Sequence, residues 1–274
     1  MIVMKALIIA AGRGERLRPL TDRNPKPLIP LLGLSLIERV ILSAVEAGIF
    51  EFVVSTGYLG ERVRSFLGDG SKYGVSIEYV KSRFWSMGNG FSVFEARTLL
   101  NGRFILLMSD HIFNPKILES LLDFDVEEDE CALCVDVGMR NPIDLEDATK
   151  VMVLNGKIID IGKNLKKYNG VDMGIFLCSP VIFDALRRTI RKGLYSLTDG
   201  VRELAREGKM RAYCIDEEEA YWIDVDTLES LKIAERILLS HNYTMYGLKD
   251  EIPQLDEKTG AAVKAQRGGE RWRS

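Results

Sequence analysis

One stretch near the start of the chain decides which fold to expect. It reads Lys5-Ala-Leu-Ile-Ile-Ala-Ala-Gly-Arg-Gly-Glu-Arg-Leu-Arg-Pro-Leu-Thr21. Residues 5–9, which are apolar from Ala6 onward, predict a short buried strand, and the two glycines that follow let backbone amides come close to a phosphate group. Leu17 stands where the dinucleotide-binding fingerprint needs its third glycine, and the Gly-Lys-Ser/Thr of a Walker A loop is absent. The stretch therefore predicts a phosphate-binding loop of a different kind.

Outward from this loop, strand-like and helix-like segments alternate for most of the chain. That alternation is typical of an α/β sheet flanked by helices. Ser35 and Glu38 form a capping-box pattern that predicts a helix start, and Gly48 marks its end. Thr227 is expected to cap the last amphipathic helix, which reaches about Leu239.

Two further local patterns concern the strands. Asn155-Gly156 is a strong hairpin signal and predicts a turn within residues 150–161. Cys131 and Cys134 make a C-x-x-C motif, but they lie in a strand-like segment, where residues three apart point to opposite faces. We therefore expect core cysteines in a reducing, cytoplasmic protein rather than a redox or zinc site.

The composition of the 274 residues is that of an ordinary folded protein, with 46% hydrophobic and 28% charged residues. The formal net charge of −3 lacks the basic excess of a general nucleic-acid binder, so we expect no nucleic-acid partner. No apolar run approaches the roughly 18 residues of a membrane span, and we expect no membrane insertion of this segment. Hydrophobic patterning fades from Lys249, which predicts one domain over residues 1–240 and a partly disordered C-terminal extension or linker over 241–274.

The loop after the first strand is rich in cations. It carries the basic residues Arg13, Arg16, Arg18, Arg23 and Lys26 against only Glu15 and Asp22. Several of these side chains acting together can neutralise a triphosphate. The simpler alternative is a solvated loop with scattered charges.

The family of sugar-phosphate nucleotidyltransferases has an N-terminal motif that this loop resembles, in Gly12-Arg-Gly-Glu-Arg-Leu-Arg-Pro-Leu-Thr21, Pro25-Lys-Pro-Leu28 and Gly33. The likeness continues through spaced features as far as Leu231. It implies a Rossmann-like α/β fold with three layers, α/β/α, around a mixed central sheet. The nucleotide is then expected at the carboxyl ends of the strands.

The resemblance also implies roles for individual residues. Arg16 is expected to bind the β and γ phosphates, Lys26 to bind the reacting phosphates, and Lys163 to bind the phosphate of the acceptor. These three are therefore the expected catalytic residues. The backbone of the loop is expected to bind the nucleotide, at Ala10, Ala11, Gly12 and Gly14. A plain surface lysine is the alternative for Lys163.

Three aspartates are the expected metal ligands. Asp110 ends the buried segment 105–110, where an open α/β sheet presents catalytic groups, although a helix N-cap is the simpler alternative. The segment Trp222-Ile-Asp-Val-Asp226 resembles the late Trp-x-Asp segment of the family. Asp224 and Asp226 are two residues apart and can face one pocket from an extended segment, so both stay candidates. Nucleotidyl transfer needs a divalent cation, and Mg²⁺ is the expected cofactor.

The base and acceptor are indicated by one departure from the common family pattern and by a likeness to one subgroup. Most members have Gly-Thr-Ala where this chain has Met87-Gly-Asn-Gly-Phe-Ser92. With Met108-Ser-Asp-His-Ile112, this segment is most similar to cytidylyltransferases that act on inositol 1-phosphate. The resemblance predicts a base site at Gly88, Asn89 and Gly90, and an acceptor site at Asp172 and Gly174. Phosphocholine cytidylyltransferases are the alternative, with Phe84, Trp85 and Phe91 as candidates for a cation-binding aromatic cage.

These features together predict that CTP and myo-inositol 1-phosphate are converted to CDP-inositol and pyrophosphate. Another sugar-1-phosphate nucleotidyltransferase and a non-catalytic, ligand-sensing homologue remain as alternatives. The resemblance further implies a cytoplasmic domain that is sometimes fused to a membrane CDP-alcohol phosphotransferase, in phospholipid or compatible-solute synthesis. The sequence leaves the nucleobase, the inositol stereochemistry and the oligomeric state open.

Overall fold

The computed structural model describes residues 4–139, 145–215 and 221–241, together with 254–255 and 262–263. The described α-helices are α1 (Leu36–Glu46), α2 (Gly60–Leu67), α3 (Asn89–Glu95), α4 (Pro115–Leu122), α5 (Val181–Arg191), α6 (Leu197–Arg206) and α7 (Leu228–Ser240). Single 3-10 turns lie at Glu15–Leu17, Leu20–Asp22, Lys26–Leu28, Ser71–Tyr73 and Ala96–Leu99. None of the helices in the described part of the chain has the length and apolar character that crossing a bilayer requires.

Most of the described strands belong to one mixed sheet. The strands are β1 (Lys5–Ala10), β2 (Pro30–Leu31), β3 (Leu34–Ser35), β4 (Glu51–Thr56), β5 (Ser76–Lys81), β6 (Phe104–Met108), β7 (His111–Phe113), β8 (Cys131–Asp136), β9 (Lys150–Leu154), β10 (Lys157–Gly162), β11 (Gly170–Cys178), β12 (Met210–Ile215), β13 (Trp222–Asp224), β14 (Gln254–Leu255) and β15 (Ala262–Val263). The sheet has the order β5-β4-β1-β6-β11-β8-β12-β10-β9. β1 is parallel to β4 and β6, whereas β11 is antiparallel to β6 and β8.

Helices cover both faces of this sheet, because its strands alternate between two hydrophobic cores. On β1, Ala6 and Ile8 enter one core with α1 and α4, while Leu7 and Ile9 enter the other with α3, α5 and α6. Strands buried on both faces read as continuous apolar runs, as residues 6–9 do. The expected three-layer α/β/α fold with a mixed central sheet is confirmed.

Contacts divide the chain into two compact units, Met1–Ala234 and Glu235–Ser274. The first unit contains the nine-stranded sheet and its flanking helices. The second contains the end of α7 and the antiparallel pair formed by β14 and β15. The boundary at residue 240 that was expected from the sequence stays a prediction.

The local signals in the sequence produce the elements expected of them. Ser35 caps α1 in a capping box with Glu38, whose carboxylate accepts the Ser35 amide at 2.8 Å. The predicted hairpin joins β9 and β10 through Gly156, which has a φ of 72°. Cys131 and Cys134 lie in different cores, one on each face of β8, which confirms that they point to opposite sides.

A second, two-stranded sheet positions the functional residues. β7 follows β6 after a turn at residues 109–110 and pairs antiparallel with β13. The register sets Asp224 opposite His111. Residues more than a hundred positions apart in the chain therefore meet at the carboxyl end of β6.

Candidate active site

A cluster of three aspartates surrounds one buried lysine at this edge of the sheet. Lys26 lies on the 3-10 turn after the glycine loop and is only 6% exposed. Its Nζ forms ion pairs with Asp110 and Asp226 and lies 3.9 Å from Asp224 Oδ1. The structure thus brings together one of the predicted phosphate-binding cations and all three of the predicted metal ligands.

The charges in this cluster depend on one another. Burial by itself lowers the pKa of Lys26, but Asp110, Asp224 and Asp226 raise it above its ordinary value, so the ammonium is charged at neutral pH. Burial acts to raise the pKa of Asp226, and Lys26 and Arg16 nevertheless lower it to about 2. The pKa of Asp224 is raised, chiefly by burial, against the opposing effect of His111. Asp224 is therefore the carboxylate whose charge is least well compensated.

The donor set at Asp110 and Asp224 fits a divalent cation. Asp224 Oδ1 is buried and has no hydrogen-bond partner. It lies 3.6 Å from His111 Nε2, and Asp110 Oδ1 lies 3.9 Å from the same nitrogen. One atom from each residue falls within 4.8 Å of the others. Asp226 is arranged differently, because both of its oxygens pair with Arg16 and Lys26.

Arg16 and Lys163, the other predicted phosphate-binding residues, meet on a fourth carboxylate. Arg16 pairs with Asp147 as well as with Asp226, and Lys163 Nζ lies 2.6 Å from Asp147 Oδ1. The Arg16 and Lys163 side chains are 47% and 55% exposed. Ion pairs this open to water are worth about 0–1 kcal/mol, so the two cations can exchange Asp147 for a phosphate group.

A cavity of about 580 Å³ joins these groups to the predicted acceptor site. Arg16, Lys163, Asp147, Asp224 and Asp226 line it together with Asn89, Asp172 and Gly174. Thr149, Thr198, Thr227 and Ser230 add hydroxyl groups to its wall. The cavity therefore combines cations that suit phosphate with polar groups that suit a polyol.

Asp172 is the most unusual acid in the cavity wall. Its Oδ1 accepts the amide of Gly174 at 2.8 Å. Burial raises its pKa to about 6, although that hydrogen bond and His111 act in the opposite direction. A carboxylate held in this way can accept hydrogen bonds from hydroxyl groups of a ligand.

Of the two loop glycines in the predicted nucleotide site, only Gly14 has a packing reason for its small size. A Cβ on Gly14 would lie 2.7 Å from Lys26 Cβ, so this glycine lets Lys26 pack against the loop. Gly12 is open, with nothing within 4 Å of such a Cβ. Ala10 and Ala11 are buried at the end of β1, and the Ala11 carbonyl accepts the Tyr58 amide at 2.9 Å.

The predicted base site also contacts the start of α6. Asn89 Oδ1 accepts the amide of Leu197 at 2.8 Å while the residue lines the cavity. A Cβ on Gly90 would come within 2.6 Å of the Tyr195 carbonyl oxygen, and one on Gly88 would overlap the same atom. Part of the glycine requirement in this segment is therefore close packing within the protein.

The aromatic residues considered for a cation cage lie elsewhere. Phe91 stacks on Tyr195 and lies tilted against Phe84, with ring centroids 5.3 and 5.1 Å away. Trp85 packs against Tyr58 at 5.9 Å. Phe84, Trp85 and Phe91 are absent from the cavity wall formed by the described residues.

Sequence reasoning missed two residues of the site. Asp147 comes from a loop whose acidic residues resemble any solvated segment. His111 follows Asp110 directly, and its Nδ1 lies 2.9 Å from the Met173 carbonyl oxygen. Burial acts to lower the pKa of His111, but Asp224 and Asp110 raise it to about 10, since an imidazole that faces two carboxylates retains its proton. A divalent cation in the same position would replace that proton.

Comparisons with known proteins identify the family of the chain. Residues 5–241 match the family model described as nucleotidyl transferase. A bifunctional IPC transferase and DIPP synthase of Rubrobacter xylanophilus is 35% identical over 239 residues, covering 85% of this chain and 52% of that protein. The protein of the same name from Aquifex aeolicus is 32% identical over 240 residues, covering 87% and 52%. The chain thus spans about half the length of these relatives.

Solved structures share the fold. The inositol-1-phosphate CTP transferase from T. maritima superposes with a TM-score of 0.72 at 26% identity, covering 87% of this chain and 97% of that one. A UDP-glucose pyrophosphorylase complexed with UDP-glucose gives a TM-score of 0.70 at 19% identity, covering 88% and 100%. The second likeness concerns the fold alone.

Proposed function

Because this chain belongs to the nucleotidyl transferase family, we propose that it transfers the cytidylyl group of CTP to myo-inositol 1-phosphate. The products are CDP-inositol and pyrophosphate. Four relatives between 30% and 35% identical carry IPC transferase in their names, and a solved neighbour is named inositol-1-phosphate CTP transferase. These names support both the nucleotide and the acceptor.

One observation carries the proposal on the structural side. A single cavity is lined by Arg16 and Lys163, by Asp224 and Asp226 of the aspartates around Lys26, and by Asp172. A nucleotidyl transfer to a phosphorylated polyol requires three kinds of group: cations, metal ligands and an acceptor of hydrogen bonds from hydroxyls.

The reaction is a displacement at the α-phosphorus of CTP. An oxygen of the acceptor phosphate forms the new O–P bond, and the bond from the α-phosphorus to the bridging oxygen of the β phosphate breaks. The acceptor phosphate is ionised near neutral pH, since its second pKa is about 6, and needs no general base. The pyrophosphate leaves with the electron pair of the broken bond.

The proposed roles follow from where the charges lie. Lys26, buried and charged, faces the reacting phosphates, and Arg16 binds the leaving β and γ phosphates. Lys163 binds the acceptor phosphate after it exchanges Asp147 for the ligand. A divalent ion held by Asp110 and Asp224 would offset the negative charge that builds on the α-phosphate oxygens.

Base and acceptor selection are assigned to Asn89 and Asp172, which also line the cavity. With its Oδ1 held by Leu197, Asn89 presents its amide NH₂ as a donor, which suits the N3 and O2 acceptors of cytosine. Asp172 is suited to accept hydrogen bonds from ring hydroxyls. Phosphocholine offers none, and the three aromatic residues considered for its cage do not line the cavity.

Pyrophosphate release from each of the four nucleoside triphosphates, combined with several phosphorylated acceptors, tests the proposal. CTP with inositol 1-phosphate should exceed CTP with phosphocholine by at least about 100-fold, because a site built to bind hydroxyls rejects ligands without them. A faster reaction with phosphocholine or glucose 1-phosphate would refute the named product and leave the reaction class. Binding of CTP without turnover of any acceptor would favour the ligand-sensing alternative.

Several finer features belong to the proposal as well. Mg²⁺ as the cation, a cytoplasmic location and a fusion to a membrane CDP-alcohol phosphotransferase stay predictions. The roles to test first are those of the three cations and the three aspartates, which are Arg16, Lys26 and Lys163, and Asp110, Asp224 and Asp226. Asp224→Asn compared with Asp226→Asn distinguishes the late aspartates, because only the first should weaken cation binding directly.

A further inference from the structure

His111 presents one ring nitrogen to the two carboxylates of the candidate metal site. Its Nδ1 lies 2.9 Å from the Met173 carbonyl oxygen, and since a carbonyl only accepts, Nδ1 must carry the hydrogen. Nε2 then faces Asp224 Oδ1 at 3.6 Å and Asp110 Oδ1 at 3.9 Å. An imidazole that donates one N–H to a backbone carbonyl and turns the other nitrogen inward is the usual arrangement of a metal-binding histidine.

The separations between these atoms fit a common ion. Ligands about 2.1 Å from an octahedral cation lie about 3 Å apart when adjacent and about 4.2 Å apart when opposite. The two distances to Nε2 fall between these limits. Lys26 pairs with Asp110 Oδ2 and leaves Asp110 Oδ1 facing the histidine, and its Nζ stays 3.9 Å from Asp224 Oδ1. Asp224 Oδ1 is buried and has no hydrogen-bond partner.

The ring of His111 is held in this position. Its side chain is 14% exposed. On one side lies Gly174, where a Cβ would overlap Nδ1 and Cε1 of the ring. Trp222 lies on another, with ring centroids 6.1 Å apart. The nitrogen is therefore oriented toward the carboxylates before any cation arrives.

We propose that His111 Nε2 is the third protein ligand of the divalent cation at Asp110 and Asp224. The proposal deepens the proposed function, because it concerns the cation of the same site. Mg²⁺ takes oxygen ligands, whereas imidazole suits first-row transition metals such as Mn²⁺ and Co²⁺. The site accordingly binds Mn²⁺ and Co²⁺ more tightly than Mg²⁺, and His111 accounts for that preference.

Mn²⁺ binding to the full, tag-free chain tests this, with and without CTP. Electron spin-echo measurements detect a directly bound imidazole nitrogen, and titrations give the affinities for Mn²⁺ and Mg²⁺. The chain has only two histidines, His111 and His241, which makes the assignment direct. The variant His111→Asn keeps an amide that can donate to Met173 but lacks Nε2, and His241→Asn is the matched control.

The wild type and His241→Asn should show nitrogen coupling to Mn²⁺, and His111→Asn should not. In His111→Asn the Kd for Mn²⁺ should rise about 10- to 100-fold, while that for Mg²⁺ changes much less. Absence of nitrogen coupling in the wild type, both with and without CTP, would overturn the proposal. An equal loss of Mn²⁺ and Mg²⁺ affinity in His111→Asn would also overturn it, because it would indicate that His111 acts only as a charged partner of the carboxylates. Neither readout needs the acceptor or turnover, so failure of the proposed reaction would be seen separately.

Discussion

Gly174→Ala is the substitution whose cost can be worked out most directly from the structure. Gly174 has a φ of 70° in β11, where the pairing with β8 shifts register between Asp172 and Phe176. An alanine there meets a backbone penalty of about 1–2 kcal/mol. Its Cβ would also overlap the His111 ring and lie 3.0 Å from Met108 Cγ, which adds about 1–3 kcal/mol of overpacking.

The total, about 2–5 kcal/mol, is a large part of the roughly 5–15 kcal/mol that stabilises a typical folded protein. Gly74→Ala is the matched control, because Gly74 has a φ of 71° and nothing lies within 4 Å of its added Cβ. It should therefore cost only the backbone penalty. Urea unfolding of the two variants, followed by tryptophan fluorescence, measures both values, and their difference isolates the crowding against His111 and Met108.

Equal losses of unfolding free energy in Gly174→Ala and Gly74→Ala would show that the His111 ring yields easily. The packing argument for its orientation would then be wrong. If the difference is present, Gly174→Ala should also weaken Mn²⁺ binding, because the displaced ring moves Nε2 away from Asp224. Gly74→Ala should bind Mn²⁺ as the wild type does.

Three further substitutions test the charges of the site. Lys26→Met removes the buried cation and should lower kcat at least about 100-fold with a smaller change in KM for CTP; a change confined to KM would assign Lys26 to binding alone. Asp147→Asn removes the carboxylate shared by Arg16 and Lys163 and should lower KM for the acceptor by up to about 5-fold, the equivalent of about 1 kcal/mol for an exposed ion pair; a higher KM would instead indicate that Asp147 contacts the acceptor. Asp172→Asn tests the raised pKa of Asp172, which is about 6 in the folded chain and near 3.8 in the unfolded chain. Because the folded state holds the proton more tightly, the wild type loses stability as pH rises from about 4 to 6, and the loss persists above pH 6. In urea unfolding at pH 8, the free energy of unfolding of the variant should therefore exceed that of the wild type, by no more than about 3 kcal/mol, and at pH 4 it should show no such gain. An equal difference at both pH values would contradict this cause.

Local chemistry made much of the fold predictable. The apolar run before the glycine loop, the capping box at Ser35 and the hairpin at Asn155-Gly156 each act over a few residues, and each forms the expected element. Helix α2 was missed, because it is short and buries only Val63 and Leu67, and because Leu59, which precedes it with a positive φ, provides no side-chain cap. Such a helix depends on the sheet it packs against and leaves little pattern in the sequence.

Helix α4 was missed for a different reason, since its local signals are present. Asn114 caps it by accepting the Lys116 amide at 3.0 Å, and Pro115 occupies its first position. Only Asn114 separates its eight residues from β7, and the apolar residues 117, 118, 121 and 122 form just a short pattern next to those of the strand. Length is the property that separates a helix from a strand in such a stretch, and here it lies in the ambiguous range.

The sequence by itself determined the glycine loop after β1, the placement of Asp110 at the end of β6 and the family to which the chain belongs. These depend on neighbouring residues or on a motif that can be read along the chain. Only the tertiary structure decided that Asp224 faces His111 while Asp226 pairs with cations, because that choice depends on the register of β7 against β13. It also brought Asp147 to Arg16, 131 residues away. Contacts of this kind depend on the order and register of the strands, and no local pattern in the sequence encodes them.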